Sequence, residues 1–231
     1  DGRVLNDKNS MTADPLDAHF VYATWDRLFS NDLPVEEEAP AVGGVTAANQ
    51  QHDGVLIARE RYRAAAQAAA SPSAQGQLAE PAEEPYFEGP TYFARTTDGG
   101  LSWEEARLIY NPGRNAQTIA NQAVVRKDGS VYVFFTEITP LGETKIRFLR
   151  STDHGASFAP PADAVATTVT YTGTLTPDLR QPVRDGNVLF DVASDQSNGN
   201  LYLVWQDGRQ LGVDRVAFSM STNGGVSWSQ P

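Results

Sequence analysis

The segment Thr96-Thr97-Asp98-Gly99-Gly100-Leu101-Ser102-Trp103 decides the reading of this chain, because it recurs twice without gaps. The second copy is Ser151-Thr152-Asp153-His154-Gly155-Ala156-Ser157-Phe158, and the third is Ser221-Thr222-Asn223-Gly224-Gly225-Val226-Ser227-Trp228. All three follow S/T-x-D/N-x-G-x-S-aromatic, and a phenylalanine (Phe93, Phe148, Phe218) precedes each by three residues. A fixed internal repeat governs the architecture and is weighed before any local propensity. Physically the motif predicts a locked β-hairpin turn. Asp or Asn can bond its own backbone and tolerates left-handed geometry, glycine supplies positive φ, and the hydroxyls close the loop. The final aromatic is expected to open the returning strand and pack beneath it.

A second repeat lies upstream. Val21-Tyr22-Ala23-Thr24-Trp25-Asp26 matches Val131-Tyr132-Val133-Phe134-Phe135-Thr136 and Leu201-Tyr202-Leu203-Val204-Trp205-Gln206, all rich in strand-forming residues. Turn signals stand ahead of each: Asp14-Pro15, Lys127-Asp128-Gly129-Ser130 and Ser197-Asn198-Gly199-Asn200. Phe135 to Asp153 spans 18 residues, as does Trp205 to Asn223, whereas Trp25 to Asp98 spans 73. The first unit therefore carries an insertion of about 55 residues between the same two strands.

Composition bounds the function. The 231 residues carry 18 Lys and Arg against 29 Asp and Glu, a net charge of −11. That balance opposes general phosphate-backbone binding and polybasic membrane attachment, so no nucleic acid is expected as a partner. No run approaches the roughly 18 apolar residues of a bilayer span. The absence of cysteine excludes disulfides, thiol catalysis and zinc-thiolate sites. His19, His52 and His154 form neither a ligand spacing nor a triad.

The three turns resemble the Asp-boxes (BNR repeats) of sialidase-type β-propellers. Asn6-Asp7-Lys8, Thr12-Ala13-Asp14-Pro15, Val21 to Arg27, Gly89-Pro90-Thr91-Tyr92-Phe93-Ala94-Arg95 and Asn115 to Gln122 are similar to bacterial secreted proteins of that class. The resemblance implies an all-β propeller of four-stranded antiparallel blades, three of which are present, half of a six-bladed ring. Blade one would comprise residues 1–29 and 89–114, with the insertion at 30–88. Blade two would be 115–170 and blade three 180–231. Three blades leave open sheet edges, which are a liability. A second half-propeller would close the ring, with the stop at Pro231 favouring truncation, or else a homodimer would. A secreted, extracellular or periplasmic location follows from the same likeness.

In that architecture strand ends meet at the axis, and polar residues there are the site candidates. Asp26, Thr136 and Gln206 correspond in register, as do Arg27, Glu137 and Asp207. Sialidase-like enzymes hold a carboxylate with arginines, use an aspartate as acid/base, and attack from a tyrosine paired with a glutamate. The resemblance implies Asp26 or Asp7 as acid/base, Glu137 as the partner of a tyrosine, and Arg27, Arg184, Gln122 and Asp207 as sugar ligands. Lys8, Gln117, Asn121, Asp185 and Gln206 are expected near the same axis. The Arg-Ile-Pro string of many sialidases is absent, and no tyrosine matches the family's nucleophile. Asp26-Arg27 equally reads as a salt bridge bracing the rim, and Trp25 and Trp205 as core aromatics rather than sugar platforms. No cofactor is implied; Asp-rich loops could take calcium, although no EF-hand pattern exists.

Within the insertion, Val55 to Ala70 has strong helix propensity and predicts a helix over residues 54–70 beside the pocket, with Arg59, Arg61 and Arg63 on it. The implied activity is hydrolysis or binding of terminal acidic sugars of glycans. A non-catalytic glycan- or protein-binding module is the rival, and another glycosidase or a lyase on the same scaffold the third reading.

Overall fold

The computed structural model describes residues 3–31, 86–164, 174–175, 178, 182–183, 186, 188–209 and 214–231. The predicted helix at 54–70, and Arg184 and Asp185, lie outside the described residues. Among those described, every regular element is a β-strand. The strands are β1 (Arg3–Ala13), β2 (Val21–Ser30), β3 (Phe87–Gly89), β4 (Thr91–Thr96), β5 (Arg107–Tyr110), β6 (Ala116–Val125) and β7 (Val131–Ile138). They continue with β8 (Thr144–Ser151), β9 (Ala162–Asp163), β10 (Thr174–Leu175), β11 (Pro182–Val183), β12 (Phe190–Ser194), β13 (Leu201–Asp207) and β14 (Arg215–Ser221).

Each aromatic repeat is a strand that pairs with the strand feeding a locked turn. β2 lies antiparallel to β4 with Tyr22 opposite Arg95. β7 lies antiparallel to β8 with Tyr132 opposite Arg150, and β13 to β14 with Tyr202 opposite Met220. The outer strands are later and shorter than the motif predicts. β5 begins at Arg107, four residues beyond Trp103, and β9 is only Ala162–Asp163. Phe158 and Trp228 pack inward from their turns instead of starting a strand, whereas Trp103 stays exposed.

Separate four-stranded sheets are the expectation, and the pairing departs from it. β3 runs parallel to β6, with Glu88 opposite Ala116 and Gly89 opposite Gln117. Arg27 N donates to Pro90 O at 3.0 Å just beyond β3. These links join the first two meanders into one nine-stranded sheet, while β12-β13-β14 form a three-stranded sheet of their own. The returning end of the insertion supplies that extra strand, which no repeat-based spacing could reveal.

The chain divides into two compact units, Asp1–Arg3 with Phe29–Phe87, and Val4–Leu28 with Glu88–Pro231. In the first, Tyr86 N donates to Asn31 Oδ1 at 2.7 Å and Phe29 packs on Tyr86 with ring centroids 5.8 Å apart. In the second, two apolar layers separate successive meanders. One gathers Tyr22, Phe93, Ala123, Val125, Val131 and Val133. The other gathers Tyr132, Phe134, Phe148, Leu201, Leu203 and Trp205. Strand alternation produces this: odd residues of β7 face one layer and even residues the other.

The three turns fold alike. Asp98 Oδ1 accepts from Thr96 Oγ1 at 2.7 Å and from Ser102 N at 2.9 Å, while Gly100 N donates to Thr96 Oγ1 at 3.0 Å. Asp153 repeats these bonds with Ser151 and Ser157, and Asn223 with Ser221 and Ser227. Acceptance of several hydrogen bonds holds the Asp98 and Asp153 carboxyls well below the usual range.

Candidate functional site

Asp26 lies on β2, one residue beyond Trp25, and is 5% exposed. Its neighbours come from the next meander. In β6 the register shifts between Ile119 and Gln122, and Ala120 takes φ 61°. This bulge breaks the in–out alternation and aims Asn121 at the first meander. Asn121 Nδ2 then donates to Asp26 Oδ1 at 3.4 Å. Thr91 Oγ1 lies 2.9 Å from Thr118 Oγ1 and 3.1 Å from Asn121 Oδ1. Its single proton serves one of them at a time. Thr118 Oγ1 donates to Gly89 O at 2.9 Å and completes a buried polar relay.

Burial first, and the negative charge of Asp7 second, push the Asp26 carboxyl up to about 8. Lys8 and the Asn121 amide pull the other way without prevailing. Asp26 is therefore a neutral acid at pH 7. Asp7 sits on β1, where its Oδ1 accepts from Lys8 N at 2.8 Å and Lys8 holds φ 49°. Arg27 follows Asp26 on β2: its Nε donates to Asn6 Oδ1 at 2.9 Å and its guanidinium stacks 4.3 Å from the Tyr92 ring centroid. The expected partnership of Asp26 with Arg27 as a rim salt bridge is not what forms; Arg27 turns to Asn6 and Tyr92.

Glu137 belongs to a second cluster. Its Oε2 accepts from Tyr110 Oη at 2.7 Å and from Arg147 Nη1 at 2.6 Å, and Arg147 Nη1 also donates to Tyr110 Oη at 3.1 Å. Arg147 Nε stands 2.9 Å from Asp163 Oδ1 as an ion pair without hydrogen-bond alignment. Tyr110 stacks on Phe135 with centroids 5.1 Å apart. Burial, then the hydrogen bond to Glu137, push the Tyr110 phenol up to about 12. A glutamate–tyrosine couple thus exists here, and its tyrosine holds its proton tightly. Arg147 stands across β7–β8 from Phe135, so antiparallel register could have flagged it; Tyr110 arrives from another meander and left no local signal.

The remaining candidates are engaged elsewhere. Gln122 Nε2 donates to Phe190 O at 2.8 Å and its Oε1 accepts from Val192 N at 3.3 Å, so both ends of the amide join β6 to β12. Asp207 accepts from Trp205 Nε1 at 2.8 Å and from Arg209 Nε at 2.7 Å. Burial opposes its ionisation, but these donors hold its carboxyl below the usual value. Gln206 Oε1 accepts from Gly186 N at 2.7 Å, and Gln117 is buried. Asp7, Lys8 and Asp26 are thus brought together, whereas Glu137 and Asp207 each head a local network.

An open groove of about 470 Å³ lies away from Asp26, against the β12-β13-β14 sheet, lined by Leu189, Phe190, Val204, Trp205 and Val216 among others. Its walls are mostly apolar and lack the carboxyl cluster that acid–base chemistry needs. Among the described residues, no group of three or more His, Asp or Glu side chains is arranged to hold a metal ion. No helix among them is long and apolar enough to cross a membrane.

No protein-family model matches the chain. No curated protein matches it either. Among solved structures, a Hadza microbial sialidase aligns over 100% of this chain and 33% of its own at 14% identity, with a TM-score of 0.46. An ulvan lyase, described as a new family of polysaccharide lyase, aligns over 97% of this chain and 40% of its own at 16% identity and TM-score 0.42. The intramolecular trans-sialidase from Ruminococcus gnavus aligns over 63% of this chain and 26% of its own at 16% identity and TM-score 0.40. The chain thus spans well under half the length of each.

Proposed function

We propose that the three meanders are blades of a sialidase-like propeller, and that the cluster of Asp7, Lys8, Asp26 and Arg27 is directed at terminal acidic sugars of glycans. One observation carries the reading: a carboxylic acid, Asp26, kept protonated at neutral pH beside the carboxyl of Asp7, where β1 and β2 also bring Lys8 and Arg27. A carboxyl poised near the working pH is what protonation of a glycosidic oxygen requires. A guanidinium such as that of Arg27 pairs with a sugar carboxylate through two parallel bonds once it leaves its neutral partners. The repeated turns support the propeller, since equivalent turns after equivalent strands place equivalent strand ends alike. Glycans of that kind are met outside the cytoplasm, which is where this reading puts the protein.

The second reading is a non-catalytic glycan-binding propeller. The raised phenol of Tyr110 favours it, because a tyrosine nucleophile must lose its proton readily. Saturation-transfer NMR with sialyllactose and with lactose tests the binding common to both. Binding of the sialylated sugar alone, lost in Arg27→Ala, is expected; equal response to both sugars, or to neither, removes the proposal. Release of 4-methylumbelliferone from its sialoside, abolished by Asp26→Asn, then separates enzyme from binder.

A further inference from the structure

Asn121 reaches Asp26 through a strained backbone. Ala120, just before it, has φ 61°, in the left-handed region that is costly for any residue bearing a Cβ. Strain held beside a buried acid points to function. Behind Asp26 stand three buried polar residues: Asn121 and Thr118 are 1% exposed and Thr91 0%. Thr91 lies opposite Asp26 in the β2–β4 register, so both side chains leave the same face of that pair. Gly89 closes the row. A Cβ there would overlap Gln117 Cβ, so a bare residue is what brings this carbonyl to 2.9 Å from Thr118 Oγ1.

The protons in this row are countable. Gly89 O is a main-chain carbonyl and only accepts, so the Thr118 hydroxyl uses its one proton there. Thr118 Oγ1 is therefore an acceptor toward Thr91, 2.9 Å away. With Asn121 Nδ2 turned to Asp26, Asn121 Oδ1 faces Thr91 Oγ1 at 3.1 Å and competes for the same Thr91 proton. One of the two buried oxygen–oxygen contacts is then left without a hydrogen, which is unfavourable away from water. Rotating the amide by half a turn removes the conflict. Nδ2 then donates to Thr91, Thr91 to Thr118 and Thr118 to Gly89 O, while Asn121 Oδ1 accepts from Asp26. That arrangement requires a proton on Asp26.

We infer that Asn121 is a positioning residue for Asp26, its amide turning with the protonation of the carboxyl, and that the Gly89 carbonyl, acting through Thr118 and Thr91, favours the protonated form. The orientation with Nδ2 toward Asp26, at 3.4 Å the longest link in the row, suits the ionised carboxyl. The charges that act on Asp26 from β1 are Asp7 and Lys8. Arg27 is held by Asn6 and Tyr92, and Glu137, opposite Thr118 on β7, is held by Tyr110 and Arg147. Burial and Asp7 already favour the proton, and the relay acts in the same direction. This deepens the reading of Asp26 as an acid toward sugars and rests on it for the use made of the proton; the relay itself needs no sugar.

Carboxyl-carbon and side-chain-nitrogen NMR of the 231-residue protein across about pH 4–10 tests it. The Asn121 side-chain amide signals should move with the same midpoint as Asp26 Cγ. Thr118→Val frees the Thr91 proton for Asn121 Oδ1 and so fixes Nδ2 toward Asp26. It should lower the Asp26 midpoint by about one pH unit, an about tenfold weaker hold on the proton. Thr118→Ser keeps the hydroxyl and should retain the wild-type midpoint. A threonine that merely packs predicts otherwise, because valine dries the site and leaves the midpoint in place or raises it. An unchanged or raised midpoint in Thr118→Val therefore overturns the proposal. So does a wild-type Asn121 amide that stays still while Asp26 titrates, a readout that needs no variant to fold. A wild-type Asp26 midpoint at the ordinary carboxylate value overturns it too. Sialyllactose binding is scored separately: its absence with the co-titration intact strikes the glycan reading alone, and the reverse result strikes the relay alone.

Discussion

Gly155 rests against the Cζ end of the Phe93 ring: a methyl group added at its Cα would lie 2.6 Å from Phe93 Cζ, inside van der Waals contact with a fully buried ring. Gly225 repeats the relationship with Phe148 at the same 2.6 Å. Each glycine also holds positive φ, 75° and 85°. The motif's invariant glycine is thus set by packing as well as by turn geometry.

Gly155→Ala and Gly225→Ala should each destabilise the protein by about 2–4 kcal/mol, from overpacking plus the left-handed backbone cost. Gly100→Ala has the same backbone sign, φ 96°, with no clash, and should cost only about 1 kcal/mol. Urea unfolding of the three variants checks the contrast, and equal losses would refute the packing argument.

Asp26 makes stability fall as pH rises. Its folded value near 8 exceeds the ordinary 3.8, so between these values the folded state binds more protons than the unfolded one. Its cost is absent below about pH 4, grows through the window, and is complete above about pH 8. Asp26→Asn removes this slope. The variant should match the wild type at about pH 4 and exceed it in melting temperature at pH 9. Identical profiles would show that Asp26 titrates normally.

Asp98 and Asp153 act with the opposite sign. Their folded carboxyls are held below the ordinary value, so their contribution is present above about pH 4 and lost as pH falls below it. Asn223 fills the same place in the third turn, accepting from Ser221 Oγ and Ser227 N at 3.0 and 2.9 Å. Asp98→Asn and Asp153→Asn should therefore lower the melting temperature less than the alanine variants, and the double variant should show a flatter acid limb.

The Tyr110–Glu137–Arg147 cluster should behave as a coupled brace between meanders. Tyr110→Phe removes one hydrogen bond, at about 1 kcal/mol, while Glu137→Ala leaves Arg147 half-buried with its main partner gone, at about 2 kcal/mol. A double-mutant cycle should show non-additivity. Absorbance at 295 nm should show a tyrosine ionising near pH 12, lost in Tyr110→Phe; ionisation of Tyr110 near pH 10 would mean that the pairing does not hold.

The sequence by itself determined the strand–turn–strand units and their locks, because those depend on residues within a few positions of each other. Asp98 reaches Ser102, glycine supplies the backbone angle, and alternation sorts β7 into two faces. It also singled out Asp26, Asp7 and Glu137 as candidate site acids. Only the tertiary structure decided what those acids do. A carboxyl's proton depends on burial and on charges from other strands: Asn121 reaches Asp26 through a bulge in β6, and Tyr110 reaches Glu137 from a different meander. Gln122 illustrates the converse, a polar residue whose amide is taken up by Phe190 and Val192, partners that no spacing along the chain announces. Short-range geometry is written in adjacent residues, whereas electrostatics is set by whichever distant groups the folded chain brings near.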